Sequence, residues 1–221
     1  MVSRNVQSLA NNNNNTNTHR IKRAWLASRT EHIILIQETW GHEVAVTGYQ
    51  GFHKSRTGMR GGGVSTYLKE GLKGRIINDR IADTLIVLVE NGSDNARSGL
   101  LLVNVYMPPS SVNKETRQTR EDNIIREITR VKSLMDSVEI ILAGDINKEA
   151  EDDYLSLKIA APRFVTHRRG GKLDAIYESY IFSVKNCKVE GTVEDHYVVS
   201  DHFAITASIE GTMILKNKLK Y

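Results

Sequence analysis

The chain has 221 residues, of which 40% are hydrophobic and 25% charged, and these values suit a globular protein of one large domain or two small ones. No apolar run approaches the roughly 18–20 residues that span a bilayer, and residues 1–9 lack a signal-peptide core. The single cysteine, Cys187, excludes an internal disulfide, which favours a reducing compartment or leaves export undecided. A net charge of +4 is compatible with a polyanionic partner but does not require one.

Hydrophobic periodicity predicts a chain in which many strands are combined with two helices. In chain order the predicted elements are a strand over residues 2–9, a helix over 19–28, strands over 32–37, 64–68, 84–90 and 99–106, a helix over 114–136, and strands over 138–142, 174–180 and 202–209. The asparagine run at 11–15 is too polar to pack and predicts a loop, and the basic residues at 216–221 predict a frayed tail.

Both predicted helices are amphipathic. Thr18 is a candidate cap for the first helix, whose predicted buried face carries Ile21, Ala24 and Trp25. The second helix has apolar residues at helical spacing, namely Ile124, Ile125, Ile128, Val131 and Leu134.

Glycine and proline mark the ends of several strands. Gly61-Gly62-Gly63 permits a tight turn or a close backbone approach before the strand at 64–68. Asn91-Gly92 predicts a hairpin between the two strands that flank it, and Pro108-Pro109 ends the second of them.

The chain contains no evident linker or internal repeat. We therefore expect one domain over residues 1–210, followed by a basic tail or linker over 211–221. Two mixed, mostly antiparallel sheets packed face to face, with helices outside, would bury this many continuous apolar runs, so the predicted fold class is α/β.

Polar side chains stand at the ends of several predicted strands. They are Asn5, Glu38, Tyr106, Asp145, Asn147 and the trio Ser200-Asp201-His202. A sheet sandwich brings strand ends together on one rim, where carboxylates repel each other unless a divalent cation neutralises them. Carboxylates plus an amide favour Mg²⁺ or Mn²⁺ over zinc. Each residue alone also fits an ordinary turn, cap or core role, and only their joint order indicates a site.

The order of these motifs resembles the endonuclease/exonuclease/phosphatase superfamily from Asn5 to Ile205. The motifs are Asn5-Val6-Gln7-Ser8-Leu9, Gln37-Glu38-Thr39-Trp40, Asn104-Val105-Tyr106-Met107-Pro108-Pro109, Gly144-Asp145-Ile146-Asn147, Lys172-Leu173-Asp174-Ala175-Ile176-Tyr177 and Ser200-Asp201-His202. The QETW form, the GGGV sequence, the YMPP sequence and the compact size look most like the apurinic-type endonuclease domains of non-LTR retrotransposons. The resemblance implies a DNase I-like, four-layered α/β sandwich that nicks DNA.

The resemblance also implies a metal site and a catalytic set. Glu38 would hold Mg²⁺ or Mn²⁺ with help from Asn5, and Asp201 would support the metal region. The implied catalytic roles are as follows: Asp145 orients and deprotonates the attacking water, Asn147 helps to position it, His202 binds a non-bridging phosphate oxygen, Asp174 fixes and charges the His202 ring, and Tyr106 donates to the phosphate or leaving group.

Three positions depart from the family pattern. Arg4 stands where an aromatic or apolar residue is usual, and Ala175 replaces a common aromatic residue. Gln7 stands where the DNA-repair branch usually has an aspartate, which weakens an abasic-site interpretation.

Basic residues cluster near the motifs. The clusters are Arg20, Lys22 and Arg23; Lys54, Arg56 and Arg60; and Arg163, His167, Arg168, Arg169 and Lys172. A solvated surface explains any single cluster best, but all three lie beside the chemical motifs. The glycines of segment 166–172 suggest a hairpin whose tip enters a DNA groove, and the predicted DNA contacts are Thr166, Arg168, Arg169 and Lys172. An exposed charged turn explains this segment equally well.

The predicted function is a metal-dependent endonuclease that nicks duplex DNA and leaves a 3′-hydroxyl able to prime reverse transcription of a non-LTR retrotransposon. The resemblance implies a linked reverse transcriptase and a nuclear location. The abrupt start at the first predicted strand and the end soon after the last suggest a domain of a longer polyprotein. The alternatives are an apurinic/apyrimidinic repair endonuclease and a catalytically inactive DNA-binding module, although a pure binder has no need of a metal carboxylate beside a His–Asp pair.

Overall fold

The computed structural model describes residues 1–9, 16–41, 43–56, 61–90, 98–109, 114–160, 165–179, 183–190 and 200–210. Their secondary structure comprises, in chain order, β1 (Val2–Asn5), α1 (Thr16–Ala27), β2 (Ile33–Gln37), β3 (Tyr49–Lys54), β4 (Val64–Lys69), β5 (Gly74–Asn78), β6 (Thr84–Glu90), β7 (Ser98–Tyr106), α2 (Lys114–Leu134), β8 (Ser137–Asp145), β9 (Asp153–Tyr154), β10 (Leu157–Ile159), β11 (Asp174–Glu178), β12 (Ser183–Glu190) and β13 (Ala204–Glu210).

The strands form two mixed sheets. The first has six strands in the order β12-β13-β1-β2-β4-β3, and the second has seven in the order β5-β6-β7-β8-β11-β10-β9. In each sheet one central pair is parallel, β1 with β2 and β7 with β8, and the other pairs are antiparallel. The predicted two-sheet architecture is therefore confirmed.

Three apolar clusters define four layers. The central cluster lies between the sheets and includes Leu35 of the first and Leu102 of the second. A second cluster packs α2 against the outer face of the second sheet through Ile124 and Ile128. A third packs Leu26 of α1 against the outer face of the first sheet. Successive strand residues face opposite sides, which is why each sheet feeds two clusters. No helix among the described residues is long and apolar enough to cross a membrane.

The first helix differs from its prediction in its start and in its buried face. It begins at Thr16, so Thr18 lies inside it and cannot be its cap. Leu26 and Lys22 are the buried residues, whereas Ile21 is 39% exposed. The pattern was misleading because a lysine occupies an inward position, with its stem packed and its ammonium group donating to the Gln7 carbonyl at 2.7 Å.

Arg4 packs in the same layer. Its guanidinium lies 4.8 Å from the centre of the Trp25 ring, and Arg29 lies at the same distance from that ring. Burial, followed by repulsion from Arg29, lowers the pKa of Arg4 to about 10. A cation–π stack thus explains how this position tolerates arginine in place of an apolar residue.

Other boundaries also differ from the predictions. β1 ends at Asn5 rather than at residue 9, since Gln7 and Ser8 have positive φ angles of 47° and 85°. In α2, Leu134 is 58% exposed and Ile125 is 39% exposed, so they do not belong to its buried face. Strands β3, β5, β9, β10 and β12 were not predicted. The asparagine loop at 11–15, the Asn91-Gly92 turn and the tail at 211–221 lie outside the described residues.

Candidate active site

Strand register in the second sheet places three predicted catalytic residues side by side. Tyr106 at the end of β7 pairs with Asp145 at the end of β8, and Asp145 pairs with Asp174 at the start of β11. Gly144 permits this close approach, because a Cβ on it would lie 2.0 Å from the Val105 carbonyl oxygen. The register of these apolar strands thus places a tyrosine and two carboxylates side by side at one rim of the second sheet.

Asn5 joins the two sheets at this rim. Its fully buried amide nitrogen donates to Glu38 Oε1 and to Asp145 Oδ2, both at 2.9 Å. Its Oδ1 accepts the backbone amide of Gln7 at 3.0 Å. The amide therefore turns its donor toward both carboxylates and offers them no oxygen. In this orientation the Asn5 side chain orients the two acids, and its role as a metal ligand stays a prediction.

His202 forms the predicted pair with Asp174. Its Nδ1 lies 2.8 Å from Asp174 Oδ2, and its Nε2 lies 3.8 Å from both Asp145 Oδ2 and Asp201 Oδ1. Burial alone would lower the pKa of His202, but Asp174, Asp145 and Asp201 together outweigh it, and the pKa rises to about 9. The ring therefore carries a positive charge at neutral pH and faces a cluster of acids.

Asp145 is a buried carboxyl group beside a second one. Burial, followed by repulsion from Asp174, raises the pKa of Asp145 to about 8, against the opposing influence of His202 and Asn5. The Asn147 backbone amide donates to Asp145 Oδ1 at 2.9 Å, and the Asn147 side-chain amide donates to the Met107 carbonyl at 2.8 Å. Asn147 thus lies next to Asp145, as predicted, and has a positive φ of 53°.

Asp83, which the sequence did not single out, anchors the opposite half of the site. This buried carboxylate accepts the Arg56 Nε at 2.9 Å, pairs with Arg56 Nη2, and accepts Arg120 Nη1 at 3.4 Å. Its backbone carbonyl accepts the Tyr106 amide at 2.9 Å, and Arg120 Nη1 donates to the Tyr106 carbonyl at 2.9 Å. The end of β7 that carries Tyr106 is therefore held by hydrogen bonds to both its amide and its carbonyl group.

The triple glycine connects Asp83 with Glu38. The Gly63 amide donates to Asp83 Oδ1 at 2.9 Å, and the Gly62 carbonyl accepts the Trp40 amide at 2.9 Å. Trp40 Nε1 in turn donates to Glu38 Oε2 at 3.1 Å. A Cβ on Gly62 would lie 2.4 Å from both Arg56 and Asp83. The close approach predicted at the triple glycine is therefore observed, and the missing side chain at Gly62 leaves space for the Arg56–Asp83 ion pair.

A second histidine lies against the first. The rings of His167 and His202 are edge to face with centroids 4.9 Å apart, and His167 Nε2 lies 3.3 Å from Asp201 Oδ2. His167 Nδ1 accepts the Arg169 amide at 3.2 Å, which leaves the proton on Nε2 facing Asp201. His167 was noticed only as part of a basic cluster, since its contact with Asp201 depends on tertiary pairing.

The basic turn closes over this end of the site. Thr166 is 1% exposed, and its hydroxyl accepts the amides of Leu173 and Asp174 at 3.0 Å each. Arg168 and Arg169 are exposed. The hydroxyl of Thr166 is buried and holds the turn together from inside. A contact between the Thr166 side chain and DNA, as predicted, therefore does not fit this structure. The outward positions belong to Arg168 and Arg169, and Lys172 lies 3.6 Å from Glu149.

The donor set suits a hard cation. Four carboxylates, from Glu38, Asp145, Asp174 and Asp201, surround the rim, and one buried oxygen each of Asp174 and Asp201 accepts no hydrogen bond. Carboxylate oxygens that accept no hydrogen bond are the kind of ligand that Mg²⁺ and Mn²⁺ prefer. Two groups within 4.8 Å could hold an ion, Asp145–Asp174–His202 and His167–Asp201–His202. Glu38 belongs to neither group and adjoins Asp145 through Asn5.

All eight predicted catalytic residues lie around one rim. The first sheet supplies Asn5 and the Glu38 that follows β2, and the second supplies Tyr106, Asp145, Asn147 and Asp174. Asp201 and His202 precede β13 of the first sheet, and His202 reaches across to Asp145 and Asp174. The sequence missed Asp83, Arg56 and His167. Only the Gly61–Gly63 run and the basic clusters gave any signal for them.

Comparison with protein-family models and with curated proteins found no match. Among solved structures, the chain is similar to a 3′ phosphatase, NExo, from Neisseria bound to product DNA hairpin, at 15% identity and a TM-score of 0.68, covering 95% of this chain and 98% of that one. It is also similar to the AP endonuclease LMAP from Leishmania major, at 17% identity and a TM-score of 0.65, covering 93% and 86%. The endonuclease domain of TRAS1, a telomere-specific non-LTR retrotransposon, matches at 17% identity with a TM-score of 0.61, covering 94% and 96%. At such identities these likenesses establish the fold, which is the predicted four-layered, DNase I-like α/β sandwich.

Proposed function

We propose that the protein is a metal-dependent phosphodiesterase that nicks duplex DNA. The observation that carries this proposal is the Asn5 amide, which links Glu38 of one sheet to Asp145 of the other beside the His202–Asp174 pair. Phosphodiester hydrolysis needs an activated water, neutralised charge on the phosphorane and a stabilised leaving oxygen. The rim holds side chains of a suitable type for each requirement.

Glu38 is the proposed principal ligand of Mg²⁺ or Mn²⁺. Asn5 donates to one of the Glu38 oxygens and Trp40 to the other, and a carboxylate has further lone pairs that can bind a cation. Asp201 contributes from the His202 side of the rim. A divalent cation bound here supplies positive charge for the phosphorane and makes a bound water more acidic. Asn5 and Trp40 fix the carboxylate in place before a cation arrives.

Asp145 is the proposed general base. Burial raises its pKa to about 8, which makes the carboxylate a stronger base than an exposed aspartate. A nearby cation favours the ionised form that can accept the proton of water. Asn147, bonded to Asp145 Oδ1 through its backbone amide, lies where it can help to orient that water.

His202 and Tyr106 are the proposed phosphate contacts. The His202 imidazolium, held by Asp174, can donate from Nε2 to a non-bridging oxygen. Tyr106 lies beside Asp145 across the sheet, and burial followed by the nearby Glu38 charge raises its pKa, so its hydroxyl stays protonated as a donor. In the proposed step the water oxygen attacks phosphorus and the P–O3′ bond breaks. The departing O3′ takes up a proton, which balances the one that Asp145 accepts from water, and becomes a 3′-hydroxyl, while the phosphate stays on the 5′ end.

The finer proposal is that the substrate is intact target DNA of a non-LTR retrotransposon, whose nick primes a linked reverse transcriptase in the nucleus. The QETW and YMPP sequences and the similarity to the TRAS1 domain support it. Gln7 supports it against abasic-site repair, and the exposed Arg168 and Arg169 provide charge for duplex DNA.

A substrate panel tests the proposal. The purified protein is incubated with supercoiled plasmid, an abasic oligonucleotide and a 3′-polyadenylated RNA, each with Mg²⁺, with Mn²⁺ and with EDTA. We expect metal-dependent nicking of the plasmid, abolished by EDTA, with nicks that a DNA polymerase extends directly because they carry 3′-hydroxyls. Abasic DNA cut thousands of times faster than plasmid would instead support the repair enzyme, and DNA binding without cleavage would support the inactive module.

A further inference from the structure

Arg56, Asp83 and Arg120 form a buried charge cluster beside the proposed active site that none of the roles above uses. Two arginines carry two positive charges against one carboxylate, so the cluster keeps one net positive charge. Arg120 is the more enclosed cation, with a side chain 9% exposed, and its Nη1 also donates to the Tyr106 carbonyl. The Arg56 side chain is 21% exposed. Of the two arginines, Arg56 is therefore the one whose positive charge is more accessible to a ligand.

The Arg56 guanidinium is held in one orientation. Its Nε and Nη2 both bond Asp83, which leaves Nη1 without a hydrogen bond to any described residue. Gly62 leaves room for the pair, because a Cβ there would lie 2.4 Å from Arg56 Cζ and from Asp83 Oδ1. Fixing the fork in advance removes the side-chain entropy that a free arginine loses when it binds an anion.

The same guanidinium lies next to two active-site groups. Its Cζ is 5.6 Å from the centre of the Tyr106 ring, and the Glu38 carboxylate is close enough to influence it electrostatically. An arginine with one free edge, over a tyrosine expected to contact the scissile phosphate, has the geometry of a phosphate clamp.

Building on the proposed function, we propose that Arg56 binds a backbone phosphate of the DNA next to the scissile one, with Asp83 as the residue that positions it. Arg56 then lies on the Tyr106 side of the rim, away from the Arg168–Arg169 turn beside Asp201. DNA would be held on both sides of the cut by contacts that carry charge but no sequence information.

Salt dependence of DNA binding tests this inference, because each phosphate contact adds about 0.9 to the slope of log affinity against log salt. Binding to a short duplex is measured in an Asp145→Asn background, which removes the proposed base. Arg56→Gln keeps a donor for Asp83 and removes the charge, and Arg75→Gln removes an equal charge from the edge strand β5, where Arg75 is 60% exposed. We expect the slope to fall by about 0.9 for Arg56→Gln and to stay unchanged for Arg75→Gln.

An unchanged slope in folded Arg56→Gln, or equal losses in both variants, would overturn the inference. Should Arg56→Gln fail to fold, Arg56→Lys decides the matter, since it keeps the charge and loses the paired donors. Weaker binding with an unchanged slope supports the clamp, and wild-type binding rules it out. If the parent protein binds no DNA at all, the proposed function itself falls, which is a different result from a lost contribution of Arg56.

Discussion

The two halves of the rim are held by different forces. On one side, Trp40 donates to Glu38 and the Tyr106 amide donates to the Asp83 carbonyl, while the triple glycine bonds both Trp40 and Asp83. On the other, Asp145, Asp174 and His202 are buried together, and the pKa values of Asp145 and His202 are both raised there. Only the second half contains a group whose pKa is moved to between 8 and 9, so pH dependence should originate there.

Because of this difference, substitutions in the two halves should affect different measurable properties. The Glu38–Tyr106 half depends on backbone amides and on one buried carboxylate between two arginines, so its failure should appear first as lost stability. The His202 half depends on electrostatic balance, so its failure should appear as lost turnover and altered pH dependence in a protein that still folds.

The largest expected effect comes from Asp83→Asn. Removing the charge leaves two arginines facing each other beside a neutral amide, and breaking a buried pair costs about 3–5 kcal/mol. We expect a loss of unfolding free energy toward the lower end of that range, because Arg56 is partly exposed. Urea unfolding followed by circular dichroism measures it. A variant as stable as the wild type would show that the cluster does not hold this half together.

His202→Ala should lower turnover in a protein that still folds, with some loss of stability because the substitution breaks the buried pair with Asp174. Removing an imidazolium that stabilises phosphorane charge should lower kcat by at least about 10²-fold. Binding of duplex DNA should persist, because phosphate contacts elsewhere supply most of the affinity. Single-turnover nicking and a binding titration on the same preparation measure both quantities. Near-wild-type cleavage by the folded variant would remove His202 from the catalytic set.

The smallest effect is a displacement of the pH profile by Asp174→Asn. The raised pKa of His202 means that its imidazolium is present below about pH 9 and is lost as the pH rises through that value. Activity of the wild type should therefore decline above about pH 9. Asp174 exerts the largest raising influence, so its neutralisation should move the decline to lower pH. A profile of kcat/KM that does not move would show that Asp174 leaves the charge of His202 unaffected.

The sequence located the proposed catalytic residues, which the structure brings to one rim, because they stand at strand ends. The continuous apolar runs before Glu38 and Asp145 identify buried strands, and whatever polar group follows such a strand must emerge at a sheet edge. The motif order then supplied the fold. These signals are local, and each needs only a few adjacent residues.

The supporting residues could not be predicted in the same way. Asp83 lies in a turn of ordinary composition. Its structural role depends on ion pairs with Arg56 and Arg120, which are 27 and 37 residues distant in the sequence. His167 lies at the site because an isolated antiparallel β-bridge pairs its backbone with that of His202. Lys22 appeared to be a surface residue because lysine usually is. The unpredicted strands at the sheet edges, such as β5, carry exposed residues and show little alternation.

The most direct test of the account compares plasmid nicking by the wild type and by Asp145→Asn, in Mg²⁺ and in EDTA. The substitution keeps the size of a buried side chain that lies between Asn5 and His202, and removes only the proposed base. We predict that wild type in Mg²⁺ converts supercoiled plasmid to the nicked form, and that the variant is slower by at least about 10²-fold. EDTA should abolish both activities. Equal nicking by wild type and variant, or full wild-type activity in EDTA, would contradict the claim that this rim is a metal-dependent nuclease site.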